Sequence, residues 1–119
     1  MNQPVTYVEL QSADLDRSAA FFSAVFGWRP QPFAAPDYLV AGHGDGLGID
    51  AGLLTSQDGQ PRSVAVIRVE DLDVAMSAVT ANGGAVVVPP FTISGVGRGC
   101  YITDPTGLIV GLHHYDPSA

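Results

Sequence analysis

The sequence predicts an α+β fold made of two βαβββ modules, and an internal repeat is the main reason for this prediction. Residues 8–16 and residues 65–73 share one pattern, in which alternating apolar and polar residues run into Asp-Leu-Asp. A helical apolar stripe follows in both copies and ends at a glycine, Gly27 in the first and Gly84 in the second. A repeat of this length indicates two similar modules that complete one core and share a cleft. Short helices beside several strands are typical of the α+β class.

The whole chain, residues 1–119, is predicted to form a single domain, with modules at about 1–55 and 63–119. A chain of 119 residues buries roughly two-thirds of its unfolded surface, so it needs no disulfide or metal for a core. Residues 56–62 are polar and rich in turn formers. They are interpreted as the linker between the modules.

In the first module, residues 4–11 alternate with a period of two, which predicts a strand. Asp14 is the expected N-cap of the following helix, because its carboxylate can accept from the free amides of the first turn. The helix carries one apolar stripe, formed by Leu15, Ala19, Phe22 and Phe26. Three short strands follow, separated by prolines and a glycine-rich turn at residues 42–46: about 28–33, 38–42 and 47–54.

The second module repeats this order of elements. A strand is expected at about 63–69, and a helix begins at Asp71 and ends near Gly84. The inward positions of this helix are Leu72, Met76 and Val79. The segment DPTG at residues 104–107 fits a type I turn. The three closing strands are expected at about 85–92, 98–103 and 108–115.

Composition and charge exclude several classes of function. Five arginines, no lysine and twelve acidic residues give a net charge of −7, and nucleic-acid binding requires a clustered positive surface instead. No apolar run approaches the ~20 residues of a membrane span, and no signal peptide is visible. Cys100 is the only cysteine, which suits a reducing compartment and favours a small buried residue over a nucleophile. A cytoplasmic protein is expected, with no nucleic-acid or membrane partner.

The order of elements and two motifs resemble the vicinal oxygen chelate superfamily, the glyoxalase, bleomycin resistance protein and dioxygenase fold. The segments DLDRS at residues 14–18 and FFSAVFGW at residues 21–28 resemble its signature around the first helix. The segment DPTG at residues 104–107 resembles its D-P-x-G turn. The resemblance covers essentially the whole chain and implies a cup-shaped mixed β-sheet with a ligand cleft. It implies no single reaction, because the family includes isomerases, epimerases, dioxygenases and metal-free antibiotic-binding proteins.

In the metal-dependent members of the family, histidine or glutamate side chains from the first and last strands of both modules hold a divalent ion. The resemblance places Tyr7, Val64 and Gly111 at three of these positions. The fourth lies within residues 48–54, where Asp50 is the only acidic residue. Valine and glycine have no side-chain donor, and neutral tyrosine is a poor ligand for zinc, nickel or iron. We therefore expect no metal and no other cofactor.

A displaced metal site is the alternative to this expectation. Glu9, Asp50 and His113 would form a set of two carboxylates and one imidazole. Such a site would require a changed strand register in the cup.

Strand alternation predicts which side chains line the cleft. If Tyr7 faces the cleft, Glu9 and Gln11 face it too. On the last strand Ile109, Gly111 and His113 face in, whereas Val110, Leu112 and His114 face away. The predicted ligand-binding residues are Tyr7, Glu9, Trp28, Tyr38, Asp50, Val64, Val66, Arg68, Tyr101, Ile109, Gly111 and His113. A mostly apolar concave site with a few polar groups is typical of a small-molecule pocket.

Several of these residues have a structural alternative. Glu9 either pairs with Arg68 as a structural ion pair or faces the ligand as an acid or base. His113 is either a general base or a hydrogen-bonded scaffold residue. Trp28 either stacks on a planar ligand or packs inside the fold. The other two histidines, His43 and His114, are expected at a turn or at the surface.

Two functions from different classes are consistent with this pattern. The first is a metal-free small-molecule-binding protein that holds a planar or cationic antibiotic or metabolite. The second is a metal-independent isomerase, epimerase or lyase with Glu9 and His113 as catalytic base and acid and Arg68 stabilising an enolate. The expected partners are the small molecule and, as the family resemblance implies, a second copy of the chain in a homodimer.

Overall fold

The computed structural model describes residues 2–44 and 46–119, and it confirms the α+β class with two βαβββ modules. The first module contains β1 (Val5–Ser12), α1 (Leu15–Phe26), β2 (Gln31–Phe33), β3 (Ala35–Ala41) and β4 (Asp50–Thr55). The second contains β5 (Arg62–Arg68), α2 (Leu72–Ala81), β6 (Ala85–Ile93), β7 (Gly97–Thr103) and β8 (Ile109–Tyr115). The chain divides into two compact units: residues 7–64 form the first unit, and residues 65–119 with those before Tyr7 form the second unit.

Both units arrange their strands in the same way. The order is β2-β3-β4-β1 in the first unit and β6-β7-β8-β5 in the second. β1 pairs in parallel with β4, and β5 pairs in parallel with β8. The other pairs in each unit are antiparallel. The repeat in the sequence therefore corresponds to a repeat of strand order and direction.

The helix ends follow the predicted capping residues. The Asp14 carboxylate accepts from the backbone amide of Arg17 at 3.2 Å, and Gly27 adopts a left-handed φ of 73° where α1 ends. The Asp71 carboxylate accepts from the amide of Val74 at 3.0 Å at the start of α2. These bonds satisfy amides that have no partner inside the helix. Within the described residues, no helix is long and apolar enough to cross a membrane.

Two strands, β3 and β6, contain or follow a backbone irregularity. β3 begins at Ala35, earlier than predicted, because Ala34 takes a left-handed φ of 65° and turns the chain straight from β2 into β3. β6 runs through Pro89 and Pro90, at a register shift on the outer strand of its unit. An outer strand tolerates proline because one of its edges needs no amide donors. In the predicted turn at 42–46, Asp45 lies outside the described residues.

The two helices differ in how well they are packed. In the second unit, α2 covers a core that consists of Val69, Leu72, Cys100, Ile102 and Leu112. Cys100 is 1% exposed, and burial raises the pKa of its thiol. The thiol is therefore a packing group and not an activated nucleophile. In contrast, α1 contains no buried residue, and Phe26 from its predicted apolar stripe is 60% exposed.

Candidate functional site

The first unit contains a chain of hydrogen bonds between two tyrosines and a buried glutamate. The strand order β3-β4-β1 brings Tyr38 on β3 and Tyr7 on β1 together above Gly52 on β4. The two phenolic oxygens are 2.7 Å apart. The Tyr38 hydroxyl donates to Oε2 of Glu9 at 3.1 Å. Glycine at position 52 leaves the space that these two hydroxyl groups occupy.

The direction of this chain follows from the number of protons. A tyrosine hydroxyl has one proton to donate, and Tyr38 gives its proton to Glu9. The 2.7 Å bond between the tyrosines must then use the proton of Tyr7. In the described part of the chain, no other group hydrogen-bonds to the Tyr7 hydroxyl. Its oxygen therefore keeps lone pairs that can accept a hydrogen bond from a bound molecule.

Both phenols are neutral at physiological pH. Burial, followed by the charges of Glu9 and Asp50, raises the pKa of Tyr7 to about 12, although its bond to Tyr38 acts in the opposite direction. The pKa of Tyr38 also lies well above its ordinary value, first because of burial and then because of its bond to Tyr7. A neutral phenol can donate and accept at once, which the chain requires.

Glu9 is held in place by neighbours on both sides. It is 5% exposed and accepts from the Tyr38 hydroxyl and, at 3.2 Å, from Nε2 of Gln11. The side-chain oxygen of Gln11 accepts in turn from Arg62 at 3.0 Å. A buried carboxylate needs such donors, because desolvation without them is costly. Glu9 is thus oriented before any ligand binds.

His43 and Asp50 form a pair that the sequence did not predict, since His43 was expected as an ordinary turn residue. Nδ1 of His43 lies 2.6 Å from Oδ1 of Asp50, and the backbone amide of His43 donates to the same oxygen at 3.1 Å. These bonds lower the pKa of the Asp50 carboxyl, which therefore stays ionised. Asp50 is opposite Tyr7 in the register of β1 and β4, so its negative charge acts on the Tyr7 end of the chain.

In the second unit, the strand faces are as predicted for β5 and β8. Val110 and Leu112 pack with the core beneath α2, so the alternate positions of β8 lie on the other face. That face carries, from β5 and β8, Val66, Arg68, Ile109, Gly111 and His113. The Arg68 guanidinium lies 4.9 Å from the centre of the Tyr115 ring, a cation–π distance. Tyr101 has its ring 6.0 Å from that of Phe91.

His113 has a half-buried imidazole. Its Nε2 atom is buried and has no hydrogen-bond partner within the described residues. Burial, followed by the positive charges of Arg68 and His114, lowers the pKa of His113. The imidazole therefore stays unprotonated at neutral pH and can accept a proton or a hydrogen bond from a ligand.

This lowered pKa predicts a loss of stability in weak acid. In the unfolded chain His113 takes up a proton near pH 6.5, whereas the folded protein resists protonation. The free energy of unfolding should therefore decrease between about pH 7 and pH 5, and this decrease should be smaller in His113→Gln. Urea unfolding across that range measures the effect. The His114→Gln variant keeps the His113 imidazole and removes only the smallest of the three causes, so it should retain most of the decrease. A decrease in His113→Gln equal to that of the wild type would contradict the assignment.

The indole ring of Trp28 packs against aromatic side chains of α1. It stacks on Phe22 with ring centres 4.8 Å apart and planes at 16°, and lies 6.4 Å from Phe26. These contacts support the packing alternative for Trp28 over a ligand-stacking role.

The donor chemistry of the family's metal positions does not suit a metal ion. Val64 is fully buried and apolar, and a Cβ at Gly111 would lie 3.1 Å from a methyl group of Val66. The Tyr7 hydroxyl, with its raised pKa and its bond to Tyr38, is not available as a phenolate. Asp50 alone has a carboxylate, and it is bonded to His43.

The displaced metal site gains no support from the geometry. Within residues 2–44 and 46–119, no group of three or more histidine, cysteine, aspartate or glutamate side chains is close enough together to hold an ion. Two of the three side chains of the displaced site already have hydrogen-bond partners. Glu9 accepts from Tyr38, and Asp50 is bonded to His43.

Sequence comparisons connect the chain to glyoxalase-like proteins. The family model described as bleomycin resistance protein-like N-terminal matches residues 5–40. CFP32 of Mycobacterium tuberculosis, named as a glyoxylase, is 33% identical over 116 residues, covering 89% of this chain and 43% of CFP32. A glyoxylase-like domain-containing protein of Didymella fabae is 31% identical over 111 residues, covering 73% of this chain and 80% of that protein. The chain thus spans less than half the length of its mycobacterial relative.

A solved structure has the same fold at low sequence identity. The crystal structure of methylmalonyl-CoA epimerase from Mycobacterium tuberculosis aligns with a TM-score of 0.65 and 17% identity, covering 94% of this chain and 87% of that one. At this identity the likeness concerns the fold alone. The D. fabae relative, with which the family model and the repeated βαβββ module agree, shows the family. The chain belongs to the vicinal oxygen chelate (glyoxalase and bleomycin resistance protein) superfamily.

Proposed function

We propose that this chain is a metal-independent small-molecule-binding protein that recognises a cationic or hydrogen-bond-donating group at Tyr7. The observation that carries the proposal is the fixed direction of the Tyr7–Tyr38–Glu9 chain. Each hydroxyl donates towards Glu9, so the oxygen of Tyr7 is an acceptor for the ligand. Hydrogen-bonded chains of this kind polarise their members, which strengthens the terminal acceptor.

The charges near the site favour the same ligand chemistry. The effects of Glu9 and Asp50 on the pKa of Tyr7 indicate a negative potential at its hydroxyl. The chain as a whole carries a net charge of −7, which attracts cations over longer distances. The phenol rings of Tyr7 and Tyr38 add aromatic surface for a planar or cationic ligand. A planar cationic antibiotic or metabolite, bound and sequestered, fits these features.

Removal of the terminal hydroxyl tests this role. In Tyr7→Phe the bond from Tyr38 to Glu9 can remain, so stability should decrease by only about 1 kcal/mol. Affinity for an aromatic ammonium probe, such as naphthylmethylammonium, should decrease by about 1.5–3 kcal/mol, roughly 10- to 150-fold. Isothermal titration in the presence of a chelator measures the affinity of the wild type and of the variant for this probe.

Two controls define the outcome. Tyr115→Phe makes the same chemical change at an exposed position of the second unit and should bind like the wild type. The uncharged analogue naphthylmethanol should discriminate much less between wild type and Tyr7→Phe. The proposal fails if the ammonium probe binds Tyr7→Phe and the wild type equally well, or if binding requires an added metal ion.

A second candidate function is a metal-independent isomerase, epimerase or lyase, and the buried Nε2 of His113 favours it. A neutral imidazole without a partner suits a general base. Arg68, held by the Tyr115 ring, would stabilise an enolate or other oxyanion. If turnover of an activated carbon acid is the same in His113→Ala and the wild type, this candidate is excluded.

A further inference from the structure

The packing of α1 differs from that of α2 in a way that its sequence does not explain. Both helices carry an apolar stripe, yet α2 buries Leu72 at 2% exposure and packs on a continuous core. No residue of α1 is buried, and Phe21 remains 55% exposed. An apolar stripe normally packs against the sheet beside it, whereas α1 leaves much of its apolar surface uncovered.

An open cavity of about 620 Å³ lies between α1 and the strands of the first unit. Its apolar lining includes Phe21 and Phe22 from α1, Leu10 from β1 and Leu53 from β4. The volume lies within the range of about 300–1,000 Å³ that is usual for small-molecule sites. Apolar side chains in an open cavity face solvent, so a ligand of matching shape would remove apolar surface from water.

The cavity also concentrates the positive charge of an otherwise acidic chain. Arg17 and Arg62 both line it, and they are two of only five basic residues. Arg62 is fixed in position, because it donates to Gln11 at 3.0 Å, to Ser56 at 3.3 Å and to Asp58 at 2.6 Å. The guanidinium of Arg17 forms no ion pair within the described residues. Arg17 is therefore the cation that is available to a ligand.

One acidic side chain, Asp14, lines the cavity, and it serves as the N-cap of α1. The Asp14 carboxylate accepts from the backbone amide of Arg17 as the cap of α1. The cavity is also separate from the Tyr7 chain, because Leu10 alternates with Glu9 along β1 and so lies on the other face of the strand. Gln11 is the residue that borders both sites, through its bonds to Glu9 and Arg62.

We propose that the cavity between α1 and the strands is a second ligand site, which binds an amphipathic organic anion with its apolar body among Phe21, Phe22 and Leu53 and its anionic group at Arg17. The occupant follows from charge complementarity and size. A cationic or uncharged molecule of the same shape would leave the Arg17 charge unpaired.

Three probes of equal length test the charge preference: decanoate, decylammonium and decanol. Isothermal titration against the wild-type protein should give the tightest binding for decanoate. In Arg17→Gln, decanoate affinity should decrease about tenfold, as expected for loss of a charged hydrogen bond, while decanol affinity should stay the same. Arg29→Gln removes the same charge from the same unit outside the cavity, and it should bind decanoate like the wild type.

The remaining outcomes separate this site from the Tyr7 site and from a protein interface. Decanoate binding should persist in Tyr7→Phe, whether or not that variant loses the ammonium probe. Equal binding of all three probes, or equal loss in Arg17→Gln and Arg29→Gln, would overturn the proposal. It would also be overturned if decanoate does not bind and the wild type sediments as a dimer that Phe21→Ser converts to a monomer, since a second copy would then cover α1.

Discussion

Gly52→Ala should destabilise the protein by about 2–4 kcal/mol and abolish binding at the Tyr7 site. A Cβ at this position would collide with the Tyr7 hydroxyl and would lie 2.5 Å from the Tyr38 hydroxyl and 3.0 Å from Cζ of that ring. Both rings would have to move away from β4. Their movement would break the 2.7 Å bond between the tyrosines and the bond to the buried Glu9.

The cost of Gly52→Ala has two parts, which can be measured separately. One is overpacking against the rings, and the other is the loss of donors for a carboxylate that is 5% exposed. In the Tyr7→Phe/Tyr38→Phe background both colliding oxygens are absent, so the same substitution should cost clearly less. Urea unfolding of the four proteins gives the coupling energy between position 52 and the hydroxyls.

Gly42→Ala is the matched control for this prediction. Position 42 has no left-handed φ, and a Cβ there would meet only a carboxylate oxygen of Asp50, at an ordinary 3.8 Å. The free energy of unfolding of Gly42→Ala should differ from that of the wild type by less than about 1 kcal/mol. If Gly52→Ala is as stable as Gly42→Ala and still binds the ammonium probe, the close arrangement of the two tyrosines is not the basis of the site.

The parts of the structure that the sequence predicts well are local. Asp14 caps α1 through an amide three residues away. The turn at residues 104–107 closes with the amide of Gly107 donating to the carbonyl of Asp104 at 3.1 Å. Each of these bonds joins residues that are close in sequence, so the residue types alone indicate it. The repeat in the sequence then predicts the same order of elements in the second module.

The organisation of the site depends on pairing between distant strands. Tyr38 could be predicted as an aromatic residue near the cleft, but its bond to Tyr7 spans 31 positions and requires β4 between β3 and β1. The role of Gly52 follows only from the register, in which it pairs with Glu9. His43 was assigned to a turn because its partner, Asp50, meets it only once the glycine-rich segment folds back. A one-residue change in register would move these side chains to the opposite face.

Glu9→Gln should reverse the ligand preference of the Tyr7 site. The carboxylate accepts from Tyr38 and thereby directs both tyrosine protons away from the ligand. A glutamine amide can instead donate from its NH₂ group to the Tyr38 oxygen. Tyr38 would then donate to Tyr7, and the Tyr7 proton would point to the ligand. The site would change from a hydrogen-bond acceptor that favours cations to a hydrogen-bond donor.

The affinity changes should have opposite signs for two probes of similar shape. The binding free energy of naphthylmethylammonium should weaken by about 1–3 kcal/mol in Glu9→Gln, because the site loses both a hydrogen-bond acceptor and a nearby negative charge. The acceptor probe naphthaldehyde should bind Glu9→Gln more tightly than the wild type. Glu9→Asp, which keeps the charge on a shorter side chain, should retain the preference for the ammonium probe at reduced affinity. If Glu9→Gln weakens both probes equally, the substitution has only disrupted the fold of the site; if it changes neither, the carboxylate does not set the direction of the chain.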